Sequence, residues 1–148
     1  MRDERVSLIA RAAHPLARAP LVTLTELVGY EWIMQQRGAP IREATLAAFA
    51  GVGLPEPTNI VDSPSMLLTM AYLAQSDAIA PVSNEVAQLL IQPPVSAGFT
   101  EIRGAHEISV STYYLLDLIR RPLSPLARRL REEVARTSRS PILDQVGR

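Results

Sequence analysis

The chain has 148 residues, equal numbers of acidic and basic side chains, no cysteine and no lysine. This length suits one compact domain with a real core, and a net charge of zero gives no sign of nucleic acid or an anionic membrane as a partner. The missing lysines exclude Schiff-base chemistry and a lysine-containing phosphate loop. The missing cysteines exclude disulfides, thiolate nucleophiles and cysteine-bound metals.

The N-terminal residues, MRDERVSLIARAAHPLA, carry charges before a short mixed segment. They lack the long apolar core of a signal peptide. No run of about 18 uninterrupted apolar residues is present anywhere to span a membrane. The sequence therefore predicts a cytoplasmic protein.

The first elements are short. Residues 6–10 have the composition of a β-strand, which Pro15 would end. A helix of one or two turns follows, with Thr23 or Thr25 as its cap and Gly29 at its end. Residues 31–35 predict a second strand.

A longer helix is predicted over residues 41–52. Pro40 suits its first position, and Gly53 is a plausible stop before the break at LPEP. Helical spacing places five apolar residues on one face, which is expected to be buried: Ile41, Ala44, Ala48, Phe49 and Val52.

Residues 58–83 predict a βαβ unit. Residues 58–62 form its first strand, Ser63 caps a helix whose first position is Pro64, and the helix body covers residues 66–74. Because this helix is apolar on nearly every side, we expect it to be buried. The unbroken apolar run at 78–82 is typical of a strand covered on both faces in a parallel sheet. The polar loop between strand and helix then lies at the carboxyl edge of the sheet, where open α/β folds bind ligands.

The last third of the chain is less regular. Residues 83–92 predict a helix capped by Ser83 or Asn84, and the alternation over residues 106–117 predicts a strand. Ser124 and Pro125 again place a cap before a proline, and the chain from Thr137 onward has the character of a loose tail. The helix that follows Pro125 is rich in Arg and Glu, with a narrow apolar stripe formed by Leu126, Leu130 and Val134.

Four segments together resemble a known family. They are HPLA at 14–17, VTLTELVGYEWIMQQRGAPIREATLAAFAGVGLPEP, VDSPSMLLTMAYLAQSDAIAPVS and RRPLSPLARRLREEV. Their order and spacing over roughly residues 5–137 resemble the effector-binding domain of LysR-type transcriptional regulators. Where relatives often have a Gly-rich turn before the strand, this chain has AQSDAIAP, so that turn can differ in shape.

The resemblance implies an α/β fold of the type 2 periplasmic-binding-protein kind, a three-layer α/β/α sandwich. The family has two subdomains joined by crossover strands, and this sequence resembles only the latter part. The family's winged helix-turn-helix and most of the first subdomain have no counterpart here. The implied divisions are a crossover strand and remnant of the first subdomain (1–14), the second subdomain (15–104), the return crossover strand with a C-terminal helix of the first subdomain (105–137) and a tail (138–148).

Two loops carry the candidate ligand site, on which the residues and the resemblance agree. Gly38 lets the backbone approach a ligand, and both loops open helices whose N–H groups suit anionic or hydroxylated groups. Arg37 and Arg42 could pair with a carboxylate, whereas Asp62 would repel an acid and accept from sugar hydroxyls. An organic acid and a sugar therefore both remain open as effectors. The predicted ligand-binding residues are Arg37, Gly38, Ala39, Pro40, Arg42, Ser63, Ser65, Met66 and Pro81.

Simpler interpretations compete at these positions. Ser63 and Pro64 can simply start a helix without contacting a ligand. Arg37 and Arg42 can be solvated, and Met66 can belong to the core. With two histidines far apart and no tight carboxylate pair, the sequence predicts no metal, no cofactor and no catalytic residue. The arginines after residue 119 predict a solvated helix face rather than a DNA contact, because Glu132 and Glu133 interrupt them.

The leading functional hypothesis is the effector-sensing domain of a transcriptional regulator, with DNA contacted only through a domain outside this chain. A solute-binding protein of the transport type is the alternative. An enzyme with Ser63 or Ser65 as nucleophile is a third, disfavoured because no G-x-S-x-G turn surrounds either serine. The resemblance also implies a homodimer or higher assembly, with a predicted interface at Ile41, Thr45, Ala48, Phe49, Asn59 and Val61.

Overall fold

The computed structural model describes residues 4–110 and 123–137. The chain divides into two compact units, one of them Asp3–Ser111 and the other containing the last helix. The strands are β1 (Glu4–Arg11), β2 (Trp32–Met34), β3 (Ile60–Asp62), β4 (Ala80–Ser83), β5 (Phe99–Ile102) and β6 (Ile108–Val110). The helices are α1 (Leu24–Leu27), α2 (Pro40–Gly51), α3 (Met66–Gln75), α4 (Asn84–Ile91) and α5 (Pro125–Thr137).

The strands form a four-stranded antiparallel sheet around β1 and a two-stranded parallel sheet. β1 pairs antiparallel with β4, β5 and β6, whereas β2 and β3 pair in parallel. Ile79, just before β4, joins the two groups: its N–H donates to the carbonyl of Glu31 at 2.9 Å, and its own carbonyl accepts from the N–H of Ile33 at 3.0 Å. The predicted strand at 78–82 is buried, as expected. The segment pairs in parallel only at Ile79, which lies beside Trp32 of β2, because residues 80–83 pair with β1 in the antiparallel direction.

Helices cover both faces of this sheet. Successive side chains of β2 alternate between two cores, with Trp32 in one and Ile33 in the other, as the pleat of a strand requires. Phe49 of α2 packs in the first core, with its ring 5.5 Å from that of Trp32 in an edge-on arrangement. Leu73 of α3 and Leu90 of α4 pack in the second. The three-layer α/β/α arrangement predicted from the resemblance is therefore present.

The starts of α1 and α2 follow the sequence signals. Thr23 caps α1 in a reciprocal capping box with Glu26, and Pro40 occupies the first turn of α2. Gly53 ends this segment with a φ of +73°, a conformation that favours glycine. The predicted buried face is wrong at Val52, which follows the last helical residue and is 41% exposed. The buried residues of α2 are Arg42, Thr45 and Phe49, with Ile41, Ala44 and Ala48 partly buried beside them.

The prediction that α3 is buried on nearly every side is wrong. Only Thr69 and Leu73 of this helix are buried, whereas Leu67 is 77% exposed and Leu68 is 54% exposed. The helix lies on the outer layer of the unit, so only one side of it faces the sheet. Its composition alone did not indicate which sides lack a neighbour.

The remaining elements agree in part with the sequence. Ser83 caps α4, and Ser124 precedes α5, where its hydroxyl accepts from the N–H of Ala127 at 3.2 Å. The predicted strand at 106–117 is observed as β6, and its residues after Val110 lie outside the described residues, as does the predicted tail at 138–148. The stripe of Leu126, Leu130 and Val134 is exposed on α5. Within the described part of the chain, none of the helices has the length and apolar character needed to cross a bilayer.

Candidate effector cavity

A cavity of about 220 Å³ lies where several elements of the first unit begin or end. β2 ends at it, α3 and α4 begin at it, and Glu4 at the start of β1 lines it. β2 and β3 are parallel, so the loops after both strands meet at the same edge of the sheet. This is the location at which open α/β sheets bind ligands.

The loop between β3 and α3 contributes directly to the cavity, through Ser63, Ser65 and Met66. The predicted cap at Ser63 is wrong, because Ser65 is the N-cap and its hydroxyl accepts from the N–H of Leu68 at 3.3 Å. The Ser63 hydroxyl is buried. It donates to the carbonyl of Ser65 at 3.1 Å and accepts from the Ser65 N–H at 3.3 Å. Ser63 thus fixes the turn that presents Ser65.

The loop between β2 and α2 contributes less than predicted. Gly38 has a φ of +84°, and its N–H donates to the Glu43 carboxylate at 2.9 Å, so this amide is already paired. Ala39 is the N-cap of α2 and lacks a side-chain cap, whereas Arg37 is exposed. None of the residues from Arg37 to Pro40 lines the cavity. The loop reaches it only through the flanking Gln35 and Ile41.

Arg42 is neither solvated nor part of the cavity wall. It is only 4% exposed, and its Nη1 donates to the carbonyl of Gln35 at 2.9 Å and to the carboxylate of Asp62. Its Nε has no hydrogen-bond partner among the described residues. The guanidinium therefore ties the end of β2 to the end of β3, just beneath the two loops.

The cavity wall mixes hydroxyl, amide and carboxylate groups with apolar side chains. Ser63, Ser65, Met66 and Pro81 were predicted from the sequence. The other polar lining residues were not predicted to contact a ligand. Two of them had a signal in the sequence that could have found them: Ser83 caps α4, and Gln35 directly follows β2. Glu4 had no such signal, because the pairing of β1 with distant strands brings it here. The polar lining residues are Glu4, Gln35, Ser63, Ser65, Thr69 and Ser83.

The hypothesis of a serine nucleophile has no geometric support in the described residues. Ser63 is bonded to its own turn and Ser65 to its own helix. His14 is engaged elsewhere: its Nδ1 accepts from the N–H of Leu16 at 3.0 Å, and its Nε2 lies 3.2 Å from the carbonyl of Asp77. No cluster of metal-ligating side chains occurs within residues 4–110 and 123–137.

The predicted interface residues divide into two groups. Thr45 and Phe49 are completely buried in the core of the first unit, so their side chains offer no surface to a partner. Ile41, Ala48 and Val61 are partly exposed, and Asn59 is exposed. The predicted interface stays a prediction for these four residues.

Comparison with known proteins gives a consistent result. A family model described as "LysR substrate binding domain" matches residues 1–139. The HTH-type transcriptional regulator GbpR of Rhizobium radiobacter is 38% identical over 87 residues, which are 59% of this chain and 29% of that protein. GbpR of Azospirillum brasilense is 33% identical over 128 residues, or 85% of this chain and 36% of that protein. The chain thus spans about a third of the length of these curated relatives.

A solved structure supports the fold. The Synechocystis PCC6803 CcmR regulatory domain in complex with 2-PG matches with a TM-score of 0.74 and 18% sequence identity. The match covers 94% of this chain and 65% of that one. At this level of identity the likeness establishes the fold and leaves the ligand of this chain open.

Proposed function

Because this chain belongs to the LysR substrate-binding domain family, we propose that it senses a small-molecule effector for a longer DNA-binding regulator. The carrying observation is the cavity at the carboxyl ends of β2 and β3, within residues that the family model matches. Effector binding would favour one arrangement of the domain over another and so alter how the whole regulator engages DNA. Such a regulator acts in the cytoplasm.

The size of the cavity supports a small effector. Pockets for drug-sized ligands have volumes of about 300–1,000 Å³, and this one has about 220 Å³. The predicted contacts are retained for Ser63, Ser65, Met66 and Pro81. For the segment from Arg37 to Pro40, and for Arg42, the proposed role becomes the support of the neighbouring loop rather than direct contact.

A regulatory role is favoured over transport or catalysis. The curated relatives are HTH-type transcriptional regulators, which favours the regulator over the transport-type solute-binding protein. We propose that the domain is not an enzyme, since the two candidate serines lack an activating histidine among the described residues. The divisions at 1–14, 15–104, 105–137 and 138–148 also remain our proposal for the parts of the effector domain.

Self-association is part of the proposed function. We place a homodimer contact at the surface that carries Ile41 and Ala48 of α2 and Asn59 and Val61 at β3, because among the described residues β3 pairs only with β2 and leaves one strand edge open. An open strand edge is a natural site for pairing with another chain. Its partner surface in the regulator would come from the first subdomain of a second copy.

The effector site can be tested by filling the cavity. We expect Met66→Trp to abolish thermal stabilisation of the chain by any hit from a library of sugars, organic acids and amines, because Met66 lines the cavity. Leu67→Trp is the matched control, since Leu67 is the next residue, is 77% exposed and does not line the cavity. Equal binding by the Met66→Trp and wild-type chains, with folding confirmed by circular dichroism, would place the effector elsewhere.

A further inference from the structure

The cavity contains an acidic side chain and no basic one among the described residues. Glu4 lines it from the start of β1, and all basic residues of this protein apart from histidine are arginines. Arg42, which donates to the backbone carbonyl of the cavity-lining Gln35, also donates to the carboxylate of Asp62. Arg5, the neighbour of Glu4, pairs with Glu107 at 3.3 Å. No arginine of the described residues therefore lines the cavity.

Glu4 itself is unpaired within the part of the chain that the structure describes. Its carboxylate forms no hydrogen bond or ion pair there, and its backbone is held in register opposite Val110. A carboxylate without a counter-charge repels an anion and accepts hydrogen bonds from hydroxyl groups. Burial of a carboxylic acid ligand beside it would place two like charges in one small cavity.

Other parts of the cavity wall are rich in donors. α3 and α4 both begin here, and their caps Ser65 and Ser83 line the cavity. Each hydroxyl accepts from its own helix, at Leu68 and Val86, which leaves its O–H available to donate. The N-termini of the two helices also carry partial positive charge and N–H groups without intrahelical acceptors. This wall disfavours a cationic ligand.

A ligand for this cavity must therefore both donate and accept hydrogen bonds without bringing a net charge. Hydroxyl groups do both. Apolar side chains such as Ile41, Met66 and Val86 complete the wall and can contact C–H groups of the same molecule. We propose that Glu4 makes this cavity selective for an uncharged, polyhydroxylated effector and excludes organic acids. This inference rests on the proposed function and narrows it to one of the two effector classes left open by the sequence.

The test uses three probes that share one ring and differ in charge: glucose, glucuronate and glucosamine. We expect calorimetric titration of the wild-type chain to show glucose binding at least about tenfold tighter than either charged probe. Glu4→Gln should raise the affinity for glucuronate at least about fivefold relative to glucose, because the repulsion is removed. The matched control is Glu56→Gln, an exposed glutamate outside the cavity, which should leave the ratio unchanged.

Several results would overturn the inference. Tighter binding of glucuronate or glucosamine than of glucose would do so, as would an unchanged ratio in a folded Glu4→Gln variant or binding of none of the three. The proposed function has a separate readout. If a hit of another chemical class binds and Met66→Trp abolishes its binding, the effector cavity stands and only the selectivity for uncharged ligands fails.

Discussion

At the scale of single residues, Arg42 is the side chain whose position differs most from expectation. A first-turn helix position predicts a solvated arginine, yet this guanidinium is buried and bridges the ends of two parallel strands. Of its two acceptors, Gln35 is the first residue after β2, and Asp62 is the last residue of β3. Each therefore lies at the start of one of the two loops. The residue thus ties those loops together and does not itself line the cavity.

We expect Arg42→Met to lower the free energy of unfolding by about 2 kcal/mol, because charge-assisted hydrogen bonds of a buried group are lost while Asp62 stays partly solvated. Urea denaturation followed by circular dichroism measures this change. Arg37→Met, on the exposed loop, should change the stability by less than about 0.5 kcal/mol. Equal stabilities for the two variants would show that the bridge contributes nothing.

His14 provides a pH-dependent contribution to stability. Its Nδ1 accepts from Leu16, so its Nε2 carries the proton that is donated to the Asp77 carbonyl, and the neutral ring satisfies both bonds. Burial, the largest influence, lowers the pKa of His14 below its ordinary value of 6.5. The unfolded chain then binds a proton more readily than the folded one. Stability from this site is complete above pH 6.5 and is lost as the pH falls below it.

We therefore expect the urea midpoint of the wild-type chain to fall between about pH 7 and pH 5, and the His14→Gln variant to lose part of that slope. The matched control is His106→Gln, since His106 is exposed, and it should keep the wild-type slope. Parallel slopes for wild type and His14→Gln would contradict the assignment. Because both nitrogens of His14 are used, Gln is the substitution that best preserves its hydrogen bonding.

At the scale of elements, α3 is the helix that composition describes least well. Its sequence is almost wholly apolar, and the structure buries only the side that carries Thr69 and Leu73. The exposed side presents Leu67 and Leu68 to solvent beside the cavity. Contiguous exposed apolar side chains of this kind favour association with another surface.

Replacement of Leu67 and Leu68 by Gln should reduce self-association of the isolated chain while the unfolding free energy changes by less than about 0.5 kcal/mol per site. Sedimentation velocity over a range of concentrations measures the association. The wild-type chain should form dimers or larger species at high concentration. A well-dispersed wild-type monomer would contradict this prediction.

At the scale of the whole molecule, the order of elements was predictable and their surroundings were not. Local signals depend only on neighbouring residues and can therefore be read from the sequence. Examples are the Thr23 cap of α1, Pro40 in the first turn of α2 and the apolar segment at residues 78–82. Three other features depend on residues far away in the chain and could not be predicted. They are the antiparallel pairing of residues 80–83, the exposed side of α3 and the bond of Arg42 to Asp62. The same holds for the cavity: its serines follow local loop signals, whereas Glu4 reaches it only through long-range pairing.

The central place of β1 in the sheet also has a consequence for how the domain is made. Among the described residues, the strand partners of β1 begin at Ala80 or later, so β1 can pair with them only after about 70 further residues have been synthesised. Sheets closed by such distant contacts form slowly, because loop-closure entropy opposes them until the last partners arrive. During that delay both edges of the strand are unpaired, which exposes its apolar segment to association with other chains.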